Sequence, residues 1–332
     1  MASDHQDQKS FTGESDLPRW ARDLKERIDA RMTSVFVLHF NVADEVRFGD
    51  QFVSIESFLG RWLAGDDRMV VYDRSHGLRF SDHDTEALFR KVTGFTQEAE
   101  AAKRRALTAL GQAVPPEREL PTHPTKVLSL LETAIRSGCF GAREGPALLV
   151  LIGYAETLVP DAELSSMSDD DRTNLVTFLR WAADPEILRS GVAIILTVGN
   201  LADLHAQLRG PASRVETIEI PLPTLSERAK YIQHLQAANG FTMEMSPEQL
   251  AHVTAGLSRL HLKTLCRRAS RRDVPLTYTE VTERKREILE SLDEEIQDSF
   301  RRKSRASGIE DSDKKMEFLQ NMIRFELLAH SA

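Results

Sequence analysis

Cysteine is scarce: Cys139 and Cys266 are the two in 332 residues, far apart and in no metal-ligand spacing. Neither a disulfide framework nor a zinc site can be built on them, and the pattern reads as two reduced thiols in a cytoplasmic protein. The ten histidines form no ligand cluster and no G-x-S-x-G stretch marks a hydrolase, so no metal site is expected. Long apolar runs are absent, which excludes a membrane-spanning helix and a membrane partner. Residues 1–17 are polar and acidic, without the apolar run of a secretory signal. An excess of positive charge is missing too. The formal net charge of −8 argues against a surface that grips nucleic acid everywhere.

What is present is an ordinary globular composition, 41% hydrophobic and 28% charged, in a chain long enough for one large or two modest domains. Five short apolar runs are strand candidates: Val35–Phe40, Met69–Tyr72, Ala147–Ile152, Val192–Val198 and Thr217–Ile220. Three of them (VFVLHF, ALLVLI, VAIILTV) are continuously apolar, the pattern of strands covered on both faces of a parallel sheet. Helices are predicted between them at Phe52–Leu63, Thr125–Ser137 and Arg172–Ala183. Ser168 and the acids Asp169, Asp170 and Asp171 cap the last of these rather than bind a metal. This alternation gives an α/β domain over residues 18–223, after a tail of residues 1–17.

Residues 81–124 read as an insertion with one helix, Gln97–Gly111, and a loop. After Pro221–Pro223 the strand signal stops. Short helices follow at Leu225–Ala238, Ser246–Thr254, Arg259–Arg271 and Tyr278–Asp298, an all-α appendage over 224–298. Residues 299–332 form a polar linker and an amphipathic helix, Lys315–Leu328. Its apolar face (Phe318, Leu319, Met322, Ile323, Leu327) predicts a docking element.

Val198-Gly199-Asn200 ends the fourth run, and LADLHAQLRGPASRVETIEIPLPTLSERAKYI follows. With the later phrase LAHVTAGLSRLHLKTLCRRA, this resembles the second half of an AAA+ ATPase module. The resemblance implies a P-loop-NTPase-like parallel five-stranded sheet flanked by helices, with a small C-terminal all-α lid. It also implies roles for particular residues. Asn200 stands where such a module places a polar sensor, and the alternative is an Asn capping the next helix. Arg214, with Arg209 as a second candidate, stands where an arginine reaches a neighbouring subunit, and the alternative is a surface salt bridge. Arg259 and Lys263 on the lid either touch phosphate or form a solvated basic face. The phrases LHFNVAD, YAETLVP and RWAADP are similar to a bacterial type of AAA-like module that precedes a standard ATPase module.

The first half of the match departs from the family. G-x-x-x-x-G-K-[S/T], whose backbone N–H groups cradle phosphate, occurs nowhere in the chain. Phe40, Asn41, Val42, Ala43, Asp44 and Glu45 occupy its place, with branched Val42 ill suited to a left-handed nest and two carboxylates that repel phosphate. Gly153 and Tyr154 stand where the resemblance places the magnesium and water-polarising acids. Glu156 is the one candidate catalytic base, and it lacks a neighbouring metal-binding Asp. ATP and Mg²⁺ are therefore unsupported by motifs, and the cofactor stays unknown. The expectation is a catalytically degenerate subunit, acting in assembly, scaffolding or regulation through contacts with itself, an active ATPase or another subunit. With no second module in the chain, any energy source is expected to lie in a partner. Two alternatives stay open: an active or nucleotide-switched ATPase that remodels a complex, and a DNA-associated factor using Arg267–Arg272 and Arg301–Arg305.

Overall fold

The structure is a computed structural model and describes residues 17–65, 68–95, 110, 119–141, 146–272, 274–288 and 290. The chain divides into two compact units, Met1–Pro221 and Leu222–Ala332.

The first unit opens with α1 (Arg19–Asp29), which leads into β1 (Val35–Phe40). A β-hairpin follows, β2 (Glu45–Phe48) and β3 (Gln51–Ser54), then α2 (Ile55–Leu59), which widens into a π-turn over Gly60–Ala64. Next come β4 (Met69–Asp73), β5 (Gly77–Phe80), α3 (His83–Thr93), α4 (Pro124–Arg136) and β6 (Leu148–Ile152). The unit closes with α5 (Asp169–Ala183), α6 (Pro185–Ser190), β7 (Val192–Val198), α7 (Ala206–Arg209) and β8 (Glu216–Ile220).

All five expected strands are present, and they run parallel. The sheet nevertheless has six strands in the order β5-β4-β6-β7-β1-β8, because β5 adds an antiparallel edge beside β4. Alternate residues of each apolar run serve opposite faces. Val35, Val37, Val150, Ile194 and Leu196 pack with Val127 and Leu131 of α4 and Phe178 and Trp181 of α5. Phe36, Leu38, Leu149, Leu151 and Ile195 pack with Trp20 and Leu24 of α1 and Phe58 and Leu59 of α2. Burial on both faces explains why these runs carry no polar alternation.

Two expectations need correction. The helix expected at Phe52–Leu63 begins only at Ile55, because Gln51–Ser54 pairs with Glu45–Phe48 around a Gly49-Asp50 turn. Gly49 has φ +60°, as the first central residue of such a two-residue turn requires. The insertion over 81–124 contains α3, while residues 97–109 and 111 of its expected helix lie outside the described residues.

The second unit is helical where described: α8 (Leu225–Asn239), α9 (Pro247–Val253), α10 (Arg259–Arg272) and a helical segment over 278–288. Capping boxes open α8 (Thr224 with Glu227) and α9 (Ser246 with Gln249). Thr254 is buried and its hydroxyl donates to the Leu250 carbonyl at the end of α9, and Gly256 takes φ +85° before α10. Residues 291–332, including the expected docking helix with Phe318, Leu319, Met322, Ile323 and Leu327, lie outside the described residues. Among the described residues no helix is long and apolar enough to cross a membrane.

An ion-pair network fastens α4, α5 and α6 together. Glu132 accepts hydrogen bonds from Arg180, Arg136 and the Trp181 indole, and Arg136 also pairs with Asp184 and Glu186. The Arg180 guanidinium first, and then Arg136 and Trp181, outweigh burial and hold the Glu132 carboxyl at about 2. A carboxylate lowered in the folded state stabilises above the ordinary glutamate range and loses that contribution as pH falls toward about 2. Because both arginines are partly exposed, Glu132→Gln should cost about 1–2 kcal/mol at pH 7. Urea unfolding at pH 7 and pH 3 checks this, with a smaller deficit expected at pH 3.

Candidate functional site

In an open α/β sheet, ligand sites form beyond the carboxyl ends of the parallel strands. Here that edge collects Asp73 after β4, Gly153 and Tyr154 after β6, Gly199 and Asn200 after β7, and Phe40 and Asn41 at the end of β1. Loop contacts tie the strand ends to one another. The Phe40 N–H donates to the Gly199 carbonyl (3.1 Å) and the Asn41 N–H to that of Ile220 (3.3 Å). Arg74 donates to the Thr157 carbonyl, and Asp161 N–H to that of Asp203.

The turn after β1 closes on itself. The Asn41 side-chain amide donates to the Asp44 carboxylate (2.9 Å) and to the Pro221 carbonyl (3.3 Å). Asp44 is 2% exposed, so a carboxylate fills the inside of this turn. The hairpin beyond is pinned by packing. Val46 is buried, and Phe48 meets Phe58 edge-on, with Trp20 and Trp62 tilted against the same ring. This segment encloses a buried carboxylate and continues as a packed ribbon.

Asn200 uses its side-chain oxygen to accept from the Ala202 N–H (3.0 Å), capping the short helical turn over Leu201–Asp203. Arg209 donates to the Leu204 carbonyl (2.9 Å) and pairs with Asp161 (3.2 Å), so it fastens two loops of its own chain. Arg214 is exposed, just before β8, and makes no hydrogen bond or ion pair among the described residues. Arg259 and Lys263 belong to the second unit. Arg259 is 8% exposed with its guanidinium 3.5 Å from Glu227, and Lys263 is half-buried one turn on. Arg267, Arg268, Arg271 and Arg272 are exposed on the last turns of α10, Arg272 lying 3.4 Å from Glu280. Asp169, Asp170 and Asp171 form the first turn of α5, and no group of metal-binding side chains forms among the described residues.

Asp73 escapes a sequence reading, as does the backbone conformation of Phe40 and Tyr154. Asp73 is 7% exposed and accepts from the Ser75 and His76 backbone N–H groups and from both side chains. Burial alone would raise its carboxyl, but those hydrogen bonds outweigh it and hold it at about 2. Phe40 and Tyr154, placed at this edge by position, take left-handed backbone, with φ +76° and +54°. The only readable signal was Asp73 three residues before His76.

Glu156 lies in the helical turn Ala155–Thr157 after β6, with its Oε2 buried and without a hydrogen-bond partner among the described residues. Burial first, and then the charge of Asp203, raises its carboxyl above the ordinary range. A carboxylate raised on folding costs stability above its folded titration range, and the cost vanishes below the ordinary glutamate range, where both states are protonated. Glu156→Gln should therefore stabilise the chain at pH 7, with a smaller gain near pH 4. Thermal melts at the two pH values check the sign.

Residues 7–221 match the family described as AAA+ chaperone, N-terminal Rossmann-like domain. Residues 226–292 match the AAA+ chaperone, second helical domain. No curated protein matches the chain. The first match alone spans well over half of the sequence and ends where the first compact unit ends. The chain belongs to the AAA+ chaperone family.

Proposed function

We propose that this chain is a catalytically degenerate AAA+ chaperone subunit of the bacterial type, one that works through contacts with other subunits and not by hydrolysing ATP. The observation that carries this reading is the segment after β1. Where a phosphate loop would offer N–H donors, Asn41 and the buried Asp44 close on each other, and the β2–β3 ribbon is locked against Phe58. Loss of a loop's glycines alone leaves room for compensation by a mobile backbone. A buried carboxylate and a packed hairpin leave much less, because phosphate would meet negative charge and the ribbon would have to leave its aromatic seat. The end of β6 supports the same reading, since neither Gly153 nor Tyr154 carries a carboxylate in its side chain.

A nucleotide-switched ATPase is the alternative, and Glu156 is what favours it. A carboxyl raised by burial at a strand's carboxyl end has the character of a general base. Its partner subunits, as an assembly factor, would be further copies of itself or an active ATPase.

Calorimetric titration with Mg-ATP separates the two. No heat of binding at millimolar nucleotide, together with no phosphate release, is the expected result. Binding in the micromolar range overturns the degenerate reading, and phosphate release abolished by Glu156→Gln with binding retained promotes the switched ATPase.

A further inference from the structure

α10 departs from the way other helices of this chain carry their charge. Where those place a cation on the surface, a carboxylate stands one turn away: Lys25 pairs with Asp29, Arg90 with Glu86 and Arg136 with Glu132. α10 carries Arg259, Lys263, Arg267, Arg268, Arg271 and Arg272 and no acidic residue. Lys263 and Arg267, Arg267 and Arg271, and Arg268 and Arg272 are each four apart, and like charges at that spacing destabilise a helix. The helix dipole favours cations in a last turn, which accounts for Arg271 and Arg272 but not for Arg267 and Arg268 before them.

The buried stripe of α10 is Leu262, Leu265, Cys266 and Ala269, and it turns Arg267, Arg268 and Arg271 outward around Thr264. All three arginines are exposed and, among the described residues, make no hydrogen bond or ion pair. The acids of the next segment, Glu280, Glu283 and Glu287, line a cleft together with Arg268 and Arg272. Arg272 lies 3.4 Å from Glu280, and Glu287 is held by Arg284. Arg267 and Arg271 do not line that cleft. They share one stripe, about 6 Å apart along the helix axis.

An independent feature stands beside this basic face. The chain turns back after α10, where the Leu276 N–H donates to the Thr242 carbonyl (2.9 Å), and it leaves Val274 53% and Tyr278 58% exposed. The Arg272–Glu280 contact holds the start of the next segment, and Tyr278 with it, against the end of α10. Unpaired guanidinium groups suit phosphate, and an exposed ring suits the flat face of a base. A duplex keeps its bases stacked inside, so the two features together select an unpaired strand.

We propose that the outer face of α10 and the turn over 274–278 bind single-stranded nucleic acid, with Arg267, Arg268 and Arg271 holding phosphates and Tyr278 stacking on a base. The face belongs to the second unit alone and adds a ligand to the proposed subunit role. It stands or falls separately from the calorimetric result with Mg-ATP.

Fluorescence anisotropy on the full chain tests it, with labelled oligothymidylate and oligouridylate of about 20 nucleotides, longer than the roughly 4–16 that one single-strand site covers. Both should bind, since neither contact reads the sugar, and the tighter of the two names the class of ligand. Three phosphate contacts predict that log affinity falls against log salt with a slope of about −2 between about 50 and 200 mM potassium chloride. Arg267→Glu/Arg271→Glu should bind at least about tenfold more weakly, with the slope reduced to about −0.7 or less. Tyr278→Ala should bind about tenfold more weakly at an unchanged slope. Unchanged circular dichroism and melting temperature show that the variants fold, and Arg267→Gln/Arg271→Gln replaces the glutamate pair should that pair misfold. A duplex of the same length should bind more weakly than either single strand. Equal binding of duplex and single strand with Tyr278→Ala without effect overturns the proposal, as does an affinity indifferent to the arginine pair. Failure of both oligonucleotides to bind at about 50 mM salt overturns it too, as does binding to anionic phospholipid vesicles that neither oligonucleotide displaces.

Discussion

The position of β1 is the constraint from which the rest of the first unit follows. It lies between β7 and β8, and its first four side chains are fully buried, two toward each face of the sheet. A strand with no polar face needs helices on both sides, and a parallel neighbour needs a long crossover to reach it. Those two requirements place α1 and α2 on one face, α4 and α5 on the other. They leave the loops at the carboxyl ends of the strands as the natural place for side chains that do anything besides pack.

Those loops do not behave as independent segments. Pro160 bridges Leu204, Asp161 N–H meets the Asp203 carbonyl, His205 N–H meets that of Val159, and Arg209 clasps Asp161. The loop after β6 and the loop after β7 are thereby one rim, with Arg74 tying the end of β4 to it through Thr157. Asn200 and Arg209 belong to this rim as structural parts, the former as a cap and the latter as a clasp. Arg214 differs because nothing on its own chain, among the described residues, holds its guanidinium.

The parallel strands were legible because burial on both faces writes itself as unbroken apolar sequence. β5 was not, since four residues at a sheet edge, Gly77–Phe80, carry too little pattern. The β2–β3 ribbon did leave a signal: Val46 and Phe48 alternate with polar residues before Gly49-Asp50. A helical reading overrode it because Ile55–Ala64 continues the apolar pattern directly after. The phrase RWAADP is now physically intelligible. Arg180 and Trp181 bind Glu132, and Asp184 accepts from Arg136 and caps the helix that Pro185 opens. Within the site, Phe40, Asn41, Asp44, Tyr154 and Asn200 were readable by position, whereas the left-handed backbone of Phe40 and Tyr154 was not. Their significance lies in φ angles and exposure, and neither is encoded in residue type.

Whether the edge is a relic or a working surface can be argued from where the molecule tolerates cost. A site that had merely lost its chemistry would drift toward cheap solutions: glycine or asparagine at the left-handed positions, a neutral residue at a buried carboxyl, polar side chains where rings meet water. This edge keeps an expensive choice at each of those positions, in Phe40, Tyr154 and Glu156. Elsewhere the unit is built conventionally, with capped helices, an aromatic cluster around Phe58 and the Glu132 network. Strain and an unsatisfied carboxylate oxygen are thus concentrated on one rim, while the scaffold beneath it is well packed.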